Sequence, residues 1–88
     1  MTEKTDVVKK GQRLVEIAVN NKPVQIAGPH ATGLEIKQAA INQSVQIDLD
    51  FQLAQIMKNG ERKIIGDGDT VPVHKGSMFV ATAPDDNS

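Results

Sequence analysis

Residues 13–42 read RLVEIAVNNKPVQIAGPHATGLEIKQAAIN and contain three successive patterns. Apolar and other residues alternate from Arg13 to Val19, which is the period of a strand that is covered on one side. The segment 20–23 supplies turn chemistry, and the alternation then resumes at Val24 and Ile26. These first two patterns predict an antiparallel hairpin.

The third pattern is that of a helix. Thr32 and Glu35 have the spacing of a capping box, so we expect the helix to begin there, with Thr32 as its cap. Asn42 is expected to end it. Lys37 and Gln38 are predicted to face water. The apolar stripe that is predicted to lie across a sheet consists of Ile36, Ala39 and Ala40.

The next segments predict a second hairpin. Val45 to Leu49 alternates and is consistent with a strand or a packed loop, and we favour a loop that leads into a strand. Phe51 to Lys58 is apolar enough for that strand. Asn59-Gly60 is a strong hairpin signal because both residues tolerate positive φ, and a return strand should follow over Glu61 to Ile65.

The last third of the chain contains turns and one more strand. Residues 66–69 and the pair Lys75-Gly76 predict turns, and residues 71–73 predict a short extended or helical connection. Met78 to Ala83 should form the final strand. Pro84 has no backbone N–H to donate to a ladder, so we expect the strand to stop before it.

This order of elements predicts an α+β, β-grasp fold, with a mixed four- to five-stranded sheet and one main helix packed on one face. The last strand is expected to lie parallel beside the first. We expect a flexible arm over 1–11, the domain over 12–84 and a short polar tail over 85–88. The predicted core consists of Val15, Ile17, Val19, Val24, Ile26, Ile36, Ala40, Phe51, Leu53, Ile65, Val71, Phe79 and Ala81.

The composition argues against several classes of protein. The chain has 88 residues, enough for one domain, and it has no Cys, which removes disulfides, thiolate metal sites and cysteine nucleophiles. A net charge of −1 provides no attraction to nucleic acid or to an anionic membrane. No apolar run has the length of a membrane span or a secretory signal. We therefore expect a soluble cytoplasmic protein without nucleic-acid or membrane partners.

A few side chains could in principle serve a metal site or catalysis. The segment Asp67-Gly68-Asp69, with Asp48 and Asp50, could supply oxygen ligands, but the full spacing of a calcium loop is missing and a solvated turn is the better interpretation. His30 and His74 are far apart in the chain and are interpreted as surface histidines. Because no catalytic motif is found, we predict no enzyme, no metal and no cofactor.

The chain resembles the prokaryotic multiubiquitin-type ubiquitin-like proteins over roughly residues 15 to 84. No single element is specific, but their order and spacing together are characteristic. The residues that carry the resemblance are Val19-Asn20-Asn21-Lys22 at the end of the opening strand, Thr32-Gly33-Leu34-Glu35-Ile36 at the helix start, Asp50-Phe51-Gln52-Leu53, and the segment from Val71 to Phe79 that runs on to Pro84.

The resemblance implies a bacterial protein modifier whose C-terminal carboxylate is activated and transferred. The implied partners are an activating enzyme, a conjugating enzyme and a processing peptidase of the same operon. The sequence departs from the ubiquitin pattern because it has no terminal Gly-Gly, which also weakens the sulfur-carrier alternative. We expect the reactive terminus at Ser88, or at a nearby residue such as Asn87 that trimming exposes. The predicted tail comprises Pro84, Asp85 and Asp86.

A docking surface is predicted on the side of the sheet that the helix leaves open. Two alternatives to conjugation stay open: a non-covalent adaptor, and a self-associating subunit that pairs through the edge of the first or last strand. The predicted docking residues are Leu14, Ala54, Ile56, Met78 and Val80. The lysines that could accept a chain are Lys4, Lys9, Lys10, Lys22, Lys37, Lys58, Lys63 and Lys75, with those of the arm the most accessible.

Overall fold

The structure, a computed structural model, describes residues 13–84. The predicted arm over 1–11 and tail over 85–88 lie outside the described residues. The described elements are the strands β1 (Arg13–Val19), β2 (Lys22–Gly28) and β3 (His30–Thr32), the helix α1 (Gly33–Asn42), and the strands β4 (Gln52–Ile56), β5 (Arg62–Ile65), β6 (Thr70–Pro72) and β7 (Met78–Thr82).

The main sheet has five strands in the order β2-β1-β7-β4-β5. Strands β1 and β7 are parallel, and the other neighbours are antiparallel. The predicted α+β, β-grasp fold is therefore confirmed, including the parallel pairing of the first and last strands. A second, two-stranded sheet of β3 and β6 was not predicted. Its strands have only three residues each, too few for an alternating pattern to stand out.

The two hairpins close by different turns. Asn20 (φ 53) and Asn21 (φ 67) both have positive φ between the paired residues Val19 and Lys22, as a two-residue type I′ turn requires. In the β4–β5 hairpin, Gly60 takes a φ of 91, and its N–H donates to the carbonyl oxygen of Met57. This turn follows the longer pattern that includes a bulge at glycine.

The helix begins as its sequence predicts. The backbone N–H of Glu35 donates to Thr32 Oγ1 (3.1 Å), and the N–H of Thr32 donates to Glu35 Oε1 (2.9 Å), which completes the capping box. Ile36 and Ala40 are fully buried against the sheet. The helix therefore covers one face of the sheet and leaves the opposite face, called here the open face, without a helix.

Most of the predicted core is buried, and Val15 and Phe51 are partly buried against it. Four residues of the core cluster were missed: Ala31 of β3, Val45 and Ile47 of the loop between α1 and β4, and Val73 after β6. Val45 and Ile47 show that the ambiguous stretch 45–49 is a packed loop. Of the residues described, no helix is long and apolar enough to cross a membrane.

Candidate interaction face and chain exit

Apolar side chains of β4, β5 and β7 meet on the open face. In the antiparallel ladders, Ala54 lies opposite Val80 on one side and Ile64 on the other, and Ile56 lies opposite Met78. Directly opposed residues in a sheet project to the same face. We call the group Ala54, Ile56, Ile64, Met78 and Val80 the open-face patch.

The members of the open-face patch differ in exposure. Ile64 is 55% exposed and Met78 43%, whereas Ala54 is only 5% exposed. Ala54 thus lies on the predicted face but offers little surface, because its short side chain lies between the larger Val80 and Ile64. The predicted docking residues do not include Ile64, although in Ile64-Ile65 one side chain must point away from the core.

Leu14 does not join the patch. It is 55% exposed and lies opposite Ala27 on the hairpin. The parallel register pairs Ala18 with Met78, so Leu14 lies four residues along β1 from the position next to the patch, about 13 Å at the rise of a strand. Glu16 occupies the same face in between. The structure thus brings four of the five predicted docking residues together and leaves Leu14 apart.

The last strand is held on both sides by neighbours. The N–H of Ala18 donates to the carbonyl oxygen of Ser77 (2.9 Å), and the N–H of Asn20 donates to that of Phe79 (3.0 Å). On its other side, β7 pairs with β4 from Gln52 to Ile56. The last strand, β7, is therefore an interior strand of the sheet.

The side chain of Asn20 continues this pairing after β1 has ended. Asn20 Oδ1 accepts a hydrogen bond from the N–H of Ala81 (2.8 Å), and Asn20 Nδ2 donates to the carbonyl oxygen of Ala81 (3.2 Å). The two bonds occupy both backbone groups of Ala81, as a neighbouring strand does. They hold β7 one residue before its end at Thr82, after which Ala83 and Pro84 are exposed.

A buried cation fixes the loop that precedes β4. Lys37 Nζ donates to the carbonyl oxygens of Leu49 (2.6 Å) and Phe51 (2.9 Å) and forms an ion pair with Asp67 Oδ1 (2.8 Å). The Lys37 side chain is 5% exposed and that of Asp67 57%. The prediction that Lys37 faces water is therefore wrong, because its long side chain crosses to oxygen acceptors that the apolar pattern does not reveal.

The acidic turn at 66–69 supports the helix start. The carbonyl oxygens of Asp67 and Asp69 accept the N–H groups of Leu34 (3.2 Å) and Gly33 (3.0 Å). Asp69 Oδ2 accepts the N–H of Gly66 (2.9 Å). These bonds give the turn a structural role.

Within residues 13–84, no group of three or more His, Cys, Asp or Glu is placed to hold a metal ion.

A mixed sheet in the order β2-β1-β7-β4-β5, with one helix across one face and an apolar patch on the other, defines a ubiquitin-like β-grasp domain. The family model described as Multiubiquitin matches residues 15–85 of the chain. The chain belongs to the Multiubiquitin family. No curated protein and no solved structure matches it.

Proposed function

We propose that this ubiquitin-like domain is a protein modifier of a bacterial ubiquitination-like pathway, joined to its targets through the segment that follows β7. The observation that carries this proposal is that β7 is held on both sides and that the residues after it are exposed. An interior strand, held by β1, by β4 and by the Asn20 side chain, ends at Thr82 and is followed by exposed residues. An enzyme that acts on a carboxyl end requires that end to be accessible. A folded domain whose last strand is followed by exposed residues meets this requirement.

The chemistry takes place in partner enzymes. An activating enzyme would join the terminal carboxylate to the α-phosphate of ATP and release pyrophosphate. A nucleophile would then attack the carbonyl carbon and release AMP. In this proposal the reacting carboxylate lies within residues 84–88, at Ser88 or, where a processing peptidase has acted, at Asn87 or an earlier residue.

The absence of glycine from residues 82–88 defines what the enzyme must accommodate. Two glycines suit a narrow channel because they have no Cβ. Here Pro84 has a fixed φ, and Asp85 and Asp86 add two negative charges. The activating enzyme of this protein is therefore expected to have a wider channel with basic residues along it.

The open-face patch supports partner docking beside this segment. Thr82 is the last residue of β7 and pairs with Gln52, and the patch begins two residues away from this pair on each strand, at Val80 and Ala54. Exposed apolar clusters of this kind mark interaction sites. A partner enzyme that covers the patch would thus have the segment after β7 within reach.

The proposal is tested by ATP-pyrophosphate exchange with a candidate activating enzyme of the proposed pathway. The full chain is expected to stimulate exchange, and a chain that lacks residues 84–88 is expected not to. Met78→Glu, which places a charge in the patch, should raise the concentration needed for half-maximal exchange, whereas Leu14→Glu, outside the patch, should leave it unchanged. Equal exchange with the full and the shortened chain would reject the role of this segment.

A non-covalent adaptor is the second candidate, and the lack of glycine in residues 82–88 favours it. An adaptor needs the open-face patch but not a reactive carboxylate. The shortened chain distinguishes the two functions: an adaptor retains its full affinity for the partner without residues 84–88, and forms no covalent adduct in the presence of ATP.

Self-association through the edge of the first or last strand does not fit the sheet. Both β1 and β7 have neighbours on two sides, and the edge strands are β2 and β5. The predicted route was wrong because the order of strands in the chain is not their order in the sheet. Self-association by another surface remains a prediction.

A further inference from the structure

The two edge strands of the sheet expose their backbones differently. On β2, the N–H of Gln25 donates to Gln43 Oε1 (2.9 Å), and Gln43 Nε2 donates to the carbonyl oxygen of Gln25 (2.8 Å). The amide of Gln43 thus occupies the place of a neighbouring strand. Two residues before Gln25, Pro23 has no N–H to offer. The outer edge of β2 is therefore closed to an added strand at these positions.

The outer edge of β5 is open. The carbonyl oxygen of Glu61 accepts the N–H of Met57 (2.8 Å), which places Glu61 among the residues that bond toward β4. Because alternate residues of a strand bond to opposite sides, Arg62 and Ile64 direct their N–H and C=O groups outward. Within residues 13–84, neither a strand nor a side chain bonds these groups. They provide two donors and two acceptors.

The side chains along β5 give this edge a chemical character. Ile64 and Arg62 project to the open face, and Ile64 is 55% exposed. Lys63, between them, projects to the other face. Residues 58–65 contain three basic side chains and one acidic side chain, Glu61. The edge thus combines free backbone groups, one exposed apolar side chain and an excess of positive charge.

We propose that β5 binds an extended, acidic segment of a partner protein, which adds to the sheet as an antiparallel sixth strand. In that pairing the segment carries an apolar residue beside Ile64, followed by one carboxylate beside Lys63 and another beside Arg62. Backbone bonds supply the affinity, and the apolar-acidic-acidic order supplies the selectivity. This interaction does not depend on conjugation of the segment after β7.

A second copy of the chain is a poorer occupant of this edge. A symmetric pairing of two β5 strands centred on Lys63 places the two Lys63 side chains opposite each other, and one centred on Arg62 does the same with Arg62. Like charges in directly opposed positions are destabilising. An acidic partner turns the same positions into attractive pairs.

The test is an NMR titration of the isotope-labelled full chain with the blocked peptide Thr-Val-Ile-Glu-Glu-Thr. Saturable shifts are expected at the amides of Arg62 and Ile64, with the β2 amides unchanged. A peptide with Lys-Lys in place of Glu-Glu is expected to bind about tenfold more weakly, because two attractive pairs are replaced by two like-charge pairs. Absence of saturable binding, or saturation at β2 instead, would overturn the proposal.

Variants of β5 distinguish the contribution of the backbone groups to peptide binding from that of the charged side chains. Ile64→Pro removes an outward N–H and leaves the bonds to β4 intact, so it should abolish peptide binding, whereas Ile64→Thr keeps that N–H and should retain most of it. The double variant R62E/K63E should reverse the preference and bind the Lys-Lys peptide more tightly. A folded R62E/K63E protein with an unchanged preference contradicts the proposal. So does a concentration-dependent dimer, seen by light scattering, that pairs through β5.

Discussion

At the scale of single residues, Lys37 is the side chain that most needs explanation. A buried ammonium group is costly unless every charge and donor finds a partner, and Lys37 Nζ has three: two backbone carbonyl oxygens and Asp67. Its partners belong to the loop before β4 and to the turn after β5. One side chain of α1 therefore joins two segments that contain little regular structure.

Replacement of Lys37 by Met is expected to lower the free energy of unfolding by about 2–4 kcal/mol. The change keeps most of the apolar stem but leaves the carbonyl oxygens of Leu49 and Phe51 without a donor, and an unsatisfied buried acceptor costs about 1–3 kcal/mol. The change in the free energy of unfolding is measured by urea denaturation, monitored by circular dichroism. Lys63→Met, at an exposed position, is the matched control and should change stability by less than about 0.5 kcal/mol.

The burial of Lys37 also removes it from the lysines that could accept a modifier. On brief treatment with an acetylating reagent, the exposed Lys22, Lys58, Lys63 and Lys75 should react, while Lys37 should stay unmodified until the protein is unfolded. Peptide mapping by mass spectrometry reports each site. If Lys37 is acetylated at the rate of Lys22 in the folded protein, its described contacts are wrong.

Asn20 has two roles, in the turn and on the last strand, that substitution can separate. Asn20→Gly suits the positive φ but removes both bonds to Ala81, so we expect a loss of about 1–2 kcal/mol and faster hydrogen exchange at the Ala81 amide. Asn21→Gly makes the same change at the neighbouring turn position and should leave that amide protected. Equal exchange in both variants would mean that Asn20 acts only through the turn.

At the scale of elements, the contact between the start of α1 and the turn at 66–69 positions the helix. A Cβ on Gly33 would lie too close to the carbonyl oxygen of Gly66 for either backbone to stay in place. The N–H groups of Gly33 and Leu34 bond to the same turn. The helix therefore depends on a glycine at its first position, where the capping box alone does not require one.

Gly33→Ala is accordingly expected to destabilise the fold by about 1–3 kcal/mol, the usual cost of overpacking, although alanine is the better helix former. Gly68→Ala is the matched control, because a Cβ there meets nothing within 4 Å. Thermal unfolding should show a lower midpoint for the first variant and little change for the second. A stabilised Gly33→Ala protein would contradict the described contact.

Elements with a regular pattern were predicted well, and contacts between irregular segments were not. The alternation around Ile17 and the Thr32-Glu35 spacing are local signals, so β1 and the helix start could be read directly from the sequence. The partners of Lys37 and Asn20 lie up to 61 residues away in the chain, and no local pattern reveals them. The burial of Ala54 is likewise not a local signal, because it depends on the size of its neighbours across two strands.

At the scale of the whole molecule, the described domain has its helix and its core cluster on one side of the sheet and the open-face patch on the other, next to the end of β7. Within residues 13–84, Lys37 fixes the loop before β4, and Asn20 holds β7 one residue before its end. The proposed function uses this arrangement by having a partner protein bind the open-face patch.

The measurement that most directly tests the proposed role is the mapping of the bond in an ATP-dependent adduct. The full chain and ATP are incubated with a candidate activating enzyme, a candidate conjugating enzyme and a target protein, and the product is digested and analysed by mass spectrometry. The proposed function predicts a branched peptide in which a carboxyl end derived from residues 84–88 is joined to an amine of the target. An adduct joined through any other group of this chain, or no adduct with active enzymes, would contradict it.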